Sequence, residues 1–391
     1  MTDLPLVGPP PSISGLAADR LAAWFAARGE PPYRTAQLLA GVHRSDVEGF
    51  DDLTALPRIL RGAVAEAFRF SSIEASHVLT ADHGMTAKAV HQLHDGQRVE
   101  SVLMRYPERG DRSARTTICI SSQAGCAVGC PFCATGQAGF ARQLTPDEIV
   151  DQVLHWHRPP WQALGETWRP GQPTGHYNIV FMGMGEPLNN ADRVFAAIRL
   201  LNDPARLGIG ARHLTVSTSG VVPGIDRMIA ELPQVNLAIS LHAATDELRD
   251  ELVPLNRKWP LRDLIAAGRR FAEATGRRVS LEYVMIDGLN DTTAQAERLA
   301  ELAAGWLSHV NLIPLNPTPG SRWSGTPRAG IDAFVARLRA GGVPATVRDT
   351  RGREIDAACG QLHAQLAGRE LPRRSSASAG SAASGGERIP A

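Results

Sequence analysis

The chain has 391 residues, of which 43% are apolar and 21% charged, with a formal net charge of +1; this is a globular composition, long enough for one large domain and a smaller one. No apolar run reaches the roughly 20 residues a membrane span needs, and the opening MTDLPLVGPPPSISG lacks the basic and apolar regions of a secretory signal, so a soluble, cytoplasmic protein with no membrane partner is the expectation. Five cysteines, an odd number with three of them clustered, exclude a disulfide scaffold and point to metal binding or catalysis.

From about Ser14 to Phe70 the pattern is helical: GLAADRLAAWFAARG, PYRTAQLLAGVHR and LPRILRGAVAEAF repeat apolar residues every three or four positions, punctuated by Gly29 and Pro31–Pro32. Residues 1–97 are taken as a helical accessory domain, with 8 Lys and Arg against 11 Asp and Glu. Residues 98–353 carry 29 against 25, and neither balance announces a nucleic-acid partner. Beyond Val99 the period changes. Short β-branched runs, TTICIS (116–121), YNIVFMG (177–183), HLTVSTS (213–219), VNLAISLH (235–242), RVSLEYVMI (278–286) and VNLIPLN (310–316), alternate with amphipathic stretches such as TPDEIVDQVLHWH, ADRVFAAIRLL, LRDLIAAGRRFAEAT and AQAERLAELAAGWL. Such alternation predicts βαβ units and a parallel sheet. The expectation is an α/β fold over residues 98–367, a partial six-fold TIM-like barrel with its chemistry on the loops after the strands; a doubly wound open sheet is the alternative. Residues 368–391, rich in Ser, Ala and Gly, are expected to be a disordered tail.

The loop after TTICIS reads SSQAGCAVGCPFCATGQAGF and places Cys126, Cys130 and Cys133 within eight positions. Thiolates so spaced can wrap one compact centre, either zinc with a fourth ligand elsewhere or an iron–sulfur cube. Structural zinc sites usually show two separated pairs, and no matching second pair exists here. A [4Fe–4S] cluster normally takes four cysteines; with three, one iron keeps an open position.

CAVGCPFC resembles the CxxxCxxC motif of the radical S-adenosylmethionine (SAM) superfamily. The resemblance implies a [4Fe–4S] cluster on Cys126, Cys130 and Cys133 whose fourth iron is chelated by SAM, and reductive cleavage of SAM to a 5′-deoxyadenosyl radical. MGMGEP (182–187) is similar to the superfamily's GGEP motif, in which Gly185 would let the backbone approach closely and Glu186 would meet the methionyl amine. Ser217 in STSG, Ser240, Leu241 and His242 in SLHA, and Asn316 in LIPLNP end predicted strands and are further cofactor-contact candidates.

TRGREIDAACGQL (350–362), TTICISSQAGC and SLHAATDELRDELVPLN narrow the likeness to the bacterial radical-SAM adenine methyltransferases of 23S rRNA and tRNA, the RlmN type, from about Pro32 to about Leu362. WHRPPWQALGETWRPGQPTG reads as locally variable. The resemblance implies an RNA-binding role for the N-terminal module and methylation of adenine carbon 2 in the peptidyl transferase centre of 23S rRNA and beside the tRNA anticodon. Two SAM molecules would serve each turnover. One would methylate Cys359; the radical from the second would take hydrogen from that S-methyl group, and the resulting carbon radical would add to carbon 2. Attack by Cys119 would then release methyladenine and leave a transient Cys119–Cys359 disulfide. Glu100, in GQRVES, matches the position assigned as proton acceptor. Flavodoxin or ferredoxin would supply the electron. A carbon-8 adenine methyltransferase and a non-catalytic Fe–S RNA-binding protein are the competing readings.

Overall fold

The computed structural model describes residues 9–108, 110, 113–161, 177–316, 318 and 321–362. Three helices open it, α1 (Ala18–Ala26), α2 (Tyr33–Val42) and α3 (Arg58–Ala67). Their apolar stripes, Leu21 and Phe25, Leu38 and Val42, Leu60 and Val64, meet in a small core of their own, with Trp24 and Phe68 packed against it. The segment 12–16 ties this module to the rest of the chain. Arg206, buried, donates to the carbonyls of Ser14 (2.9 Å) and Leu16. The buried Asp151 carboxylate accepts from Ser12 Oγ at 3.0 Å and from Ser72 N and Oγ at 2.6 Å each.

The remaining chain builds one ten-stranded sheet. It starts as an antiparallel meander of β1 (Ile73–Ala81), β2 (Thr86–Leu93), β3 (Arg98–Tyr106) and β4 (Arg115–Cys119). After a short hairpin of β5 (Gln123–Gly125) and β6 (Phe140–Gln143), which flanks the four-residue α4 (Ala134–Gln137), the sheet continues in parallel from β4 through β7 (Tyr177–Phe181), β8 (Leu214–Thr218), β9 (Asn236–Ser240), β10 (Val279–Met285), β11 (Ser308–Pro314) and β12 (Ala345–Val347). Helices α5 (Pro146–His157), α6 (Ala191–Asn202), α7 (Val222–Glu231), α8 (Asp246–Leu252), α9 (Leu261–Thr275), α10 (Thr293–Ala303) and α11 (Arg328–Ala340) connect these strands. This is the α/β architecture expected, and all six strands read from the sequence are present. Among the described residues the sheet is not closed: β1 and β12 are its two edges.

Two features differ from the sequence reading. The meander was not foreseen: residue 97, the expected domain boundary, falls between β2 and β3, which pair from Thr86–Met104 to Gln92–Arg98. β2 hides because both of its faces are covered, so Thr86 to His91 are all buried and no polar–apolar alternation marks the strand. A seventh parallel strand, β12, adds to the six. The tail 368–391 and most of the variable segment within 156–175 lie outside the described residues.

Local chemistry fixes the elements that carry the site. α5 starts on a capping box, where Thr145 Oγ1 accepts from Glu148 N and Glu148 Oε2 accepts from Thr145 N. The segment 348–362 then crosses the opening between the sheet edges. Arg348 N donates to Leu312 O on β11 (2.8 Å), while Gly352 N reaches Asp82 Oδ2 beyond β1 (3.1 Å).

Candidate active site

The loop from Cys126 to Cys133 is closed by its own hairpin. Cys126 N donates to Gly139 O at 2.7 Å, and Gly125 takes φ +77°, where any Cβ would run into Gly139 O. Cys133 N donates to Cys130 O (3.1 Å) and Cys133 is the N-cap of α4. Behind the three sulfurs lies an apolar shell of Val128, Phe132, Ala243, Leu252, Val253 and Leu315.

The cysteines line one cavity of about 1010 Å³, mouth included, with Gly185, Glu186, Ser217, Ser240, His242, Asn316 and Cys359. The cavity stands where the parallel strands end, because each of these residues directly follows or ends β7, β8, β9 or β11, apart from the cysteine loops. Leu241 is buried outside the wall and contributes through its backbone, donating N–H to Glu282 O at 2.9 Å. Four wall residues, Met182, Ser219, Glu282 and Arg348, were not singled out from the sequence. A lone charge inside an apolar strand run, as in VSLEYVM, is the signal that marks Glu282.

Gly185 is required by contact: at φ +103° its Cβ would stand 2.5 Å from Gln123 Cβ. Gln123 Oε1 in turn accepts from Glu186 N at 2.7 Å. The Glu186 carboxylate, 3% exposed, accepts from Ser219 N and Oγ (2.6 Å each) and from Leu188 N (3.0 Å). Burial pushes its pKa up against those donors, so the group gains from a cation placed in the cavity. His242 adopts φ +63° and its Nδ1 accepts from Val284 N at 3.1 Å, which puts the ring proton on Nε2. Burial, and then Arg249, hold its pKa down at about 3, so it is a neutral donor.

Arg249 organises the strand ends. Fully buried, it donates to Leu241 O (3.0 Å), Asn256 Oδ1 (2.9 Å), Ser219 O (2.6 Å) and Ser240 O (3.2 Å). It also lies near Cys130, whose thiol is pushed well up by burial and by Cys133 and Cys126. Burial pushes Cys126 to about 12. Three crowded thiols in an apolar shell are short of positive charge, which a metal centre supplies. The donor set is of the kind a three-cysteine [4Fe–4S] cluster takes, and the Glu186 carboxylate faces the same cavity.

Cys359 is exposed and lines the cavity. Its loop is held by Asn316 Nδ2, which donates to Cys359 O (3.0 Å), by Ala134 N to Gly360 O (2.7 Å), and by Thr135 Oγ1 to Leu362 O. Cys359 also lines a smaller adjoining cavity with Cys119, Met104, Met182 and Arg348. Burial raises both thiols, Cys119 to about 12, while Arg348 pulls each back down. Both are free thiols. Glu100 lines neither cavity; its buried carboxylate pairs with Lys88 Nζ at 3.2 Å.

An open parallel α/β sheet whose strand ends carry a CxxxCxxC loop and a Gly-Glu-Pro turn defines a radical SAM enzyme. The Radical SAM superfamily pattern matches residues 120–302, and that of the ribosomal RNA large subunit methyltransferase N-terminal domain matches residues 12–69. The chain is 49% identical over 371 residues to a probable dual-specificity RNA methyltransferase RlmN of Parafrankia sp. (strain EAN1pec), covering 93% of this chain and 95% of that one. It is 45% identical to the Moorella thermoacetica protein of the same description, covering 92% and 98%. A radical SAM methyltransferase from Sphaerobacter thermophilus superimposes with a TM-score of 0.84 at 46% identity, covering 91% of this chain and all of the other. The chain belongs to the RlmN family of radical SAM RNA methyltransferases.

Proposed function

We propose that this enzyme methylates carbon 2 of adenine in 23S rRNA and in tRNA, using two SAM molecules per turnover, through S-methyl-Cys359 and a transient Cys119–Cys359 disulfide. The observation that carries the reading is the position of Cys359. It faces the cluster cysteines and the SAM-contact candidates in one cavity and Cys119 in the next. Bound together, the cluster and SAM supply a methyl cation equivalent and, after one-electron reduction from a flavodoxin or ferredoxin, a hydrogen-abstracting radical. Glu186 would hold the methionyl ammonium, and Ser217, Ser240, His242 and Asn316 would orient the rest of the cofactor. Cys359, with Arg348 as the cation beside it, would take the methyl group as a thiolate. Carbon 2 is an electron-poor C–H between two ring nitrogens, so the enzyme activates the methyl carbon instead of the ring. Glu100 would accept the ring proton, the adduct's odd electron would pass back to the bound cluster, and Cys119 would then attack the Cys359 sulfur to free the product.

Anaerobic holoenzyme given labelled SAM, reductant and either RNA should yield 5′-deoxyadenosine and 2-methyladenosine in nuclease digests. Cys359→Ala should yield no methylated RNA. Recovery of 8-methyladenosine would assign the enzyme to the carbon-8 reaction, and absence of 5′-deoxyadenosine would remove radical chemistry altogether.

A further inference from the structure

The rim of the small cavity carries a cationic stack that the steps above do not use. On β3 and β4, Val102 stands opposite Cys119, Met104 opposite Thr117 and Tyr106 opposite Arg115. Opposed residues share a face of a sheet, and alternate residues of a strand return to it, so one face runs from Cys119 outward to Tyr106 and Arg115. Cys119 and Met104 wall the cavity, and Tyr106 Oη donates to Met104 Sδ at 3.5 Å. Arg351, from the crossing segment, walls the same cavity together with Cys359. Its guanidinium carbon lies over the Tyr106 ring, 4.6 Å from the centroid, and that of Arg115 lies over the same ring at 4.2 Å. Arg351 Nη1 donates to Arg105 O (3.3 Å), while its buried Nε, 3.5 Å from Asp349 Oδ2, completes no hydrogen bond among the described residues. Thr350 Oγ1, buried on the same wall, completes none either.

Buried polar atoms left unpaired cost free energy, and two guanidiniums gathered on one ring repel each other. An anion with several acceptor oxygens relieves both. RNA, the substrate class of this family, carries one such anion per nucleotide. A base that reaches both Cys119 and Cys359 lies over this cavity, with its own phosphates toward the rim. Arg115 is four residues from Cys119, about 13 Å along the strand, a gap that a long side chain shortens. The accessory domain offers no rival attraction by net charge, since its 8 Lys and Arg are outnumbered by 11 Asp and Glu.

We propose that Arg115 and Arg351, preset on Tyr106, form a phosphate clamp that grips the RNA backbone beside the target adenine. This rests on the function proposed above for the place of the target base. A guanidinium fork suits phosphate, which takes two parallel N–H bonds from it. The shared ring holds both forks ready, so little side-chain freedom is lost on binding. Backbone contacts carry no sequence information, and one clamp therefore serves both RNAs.

The test compares Arg115→Gln, Arg351→Gln, Arg351→Lys and Tyr106→Leu with a distant control, Arg262→Gln on α9, where the side chain is 89% exposed. Each is prepared as anaerobic holoenzyme. Binding of a fluorescent 23S rRNA fragment and of a tRNA transcript is followed by anisotropy from about 50 to 200 mM salt, and SAM binding by equilibrium dialysis. Either glutamine variant should weaken both RNAs about five- to tenfold and lower the slope of log K against log salt by about 0.7 to 0.9, the signature of one lost phosphate contact. Arg351→Lys should restore the slope and regain only part of the affinity, because the charge returns without the fork. Tyr106→Leu should cost about two- to fivefold with the slope near wild type. SAM binding should stay within about twofold throughout. Wild-type affinity and slope in both glutamine variants would overturn the proposal. So would an equal loss of slope in Arg262→Gln, which would mean diffuse attraction. Loss of SAM binding together with RNA binding would overturn it in favour of a structural stack. A wild-type enzyme that shows the clamp's salt signature yet makes no 2-methyladenosine would fell the parent reading alone.

Discussion

Burial holds the Cys119 thiol at about 12 even with Arg348 at hand, so at neutral pH it is protonated while the attack assigned to it needs the thiolate. For an acid whose pKa is raised, the reactive fraction climbs about tenfold per pH unit anywhere below that pKa. Decay of the wild-type adduct in single turnover should therefore accelerate through about pH 9 without levelling, and a plateau near neutrality would show that bound RNA already ionises the thiol. Cys119→Ala should trap the adduct as a shifted band on denaturing gels; unmodified free RNA would deny Cys119 the resolving role. His242, held neutral by burial, should give SAM binding no limb between about pH 5 and 8. At this scale the sequence was most informative where residue types were unusual. Three spaced cysteines and a Gly-Glu-Pro turn marked the cavity, and Ser217, Ser240 and Asn316 entered as polar ends of apolar runs. Glu282 carried a mark, a lone charge in an apolar run, that was not read, while Lys88, Arg249 and Arg348 escaped because a charge in a polar or mixed stretch looks like solvent-facing surface until the fold turns it inward.

At the scale of elements, the proposed cofactor cradle is a set of strand ends fastened by two devices. One is the turn at Gly185, where an added methyl group would collide with Gln123 at φ +103°. Gly185→Ala is expected to cost about 2–3 kcal/mol and to weaken SAM binding, read by urea denaturation and equilibrium dialysis. The other is Arg249, which fastens Ser219 after β8 to Ser240 and Leu241 at the end of β9. Arg249→Met leaves several buried acceptors without donors and should destabilise by about 3 kcal/mol or more. The six parallel strands behind these turns were legible because each is a short β-branched run between helical stretches. β1 to β3 were not, since β2 is covered on both faces and gives no period-two pattern, and a helical module had already been read up to residue 97.

The whole molecule joins a helical module to the sheet through buried polar anchors, among them Asp151 with Ser12 and Ser72, Arg206 with the 14–16 backbone, and His157 and Arg158 with the carbonyls of His43 and Val42. Asp151→Ala leaves buried donors unmatched at that junction and should cost about 2 kcal/mol in denaturant titrations. If the module serves RNA docking, RNA methylation in this variant should fall more than SAM cleavage does; equal losses would mean the junction acts on stability alone. That two modules exist was legible from the change of period near Val99. How they meet was not, because the anchors are ordinary serines, an aspartate and basic side chains with no motif among them.

The crossing of the sheet opening by residues 348–362 has a consequence for the order of synthesis. The three cysteines and Glu186 proposed to hold the iron–sulfur centre and the cofactor's ammonium are encoded long before Cys359. On the proposed function, a chain halted before this segment would lack the sulfur that takes the methyl group, and competence would wait until the late strap is laid across the gap.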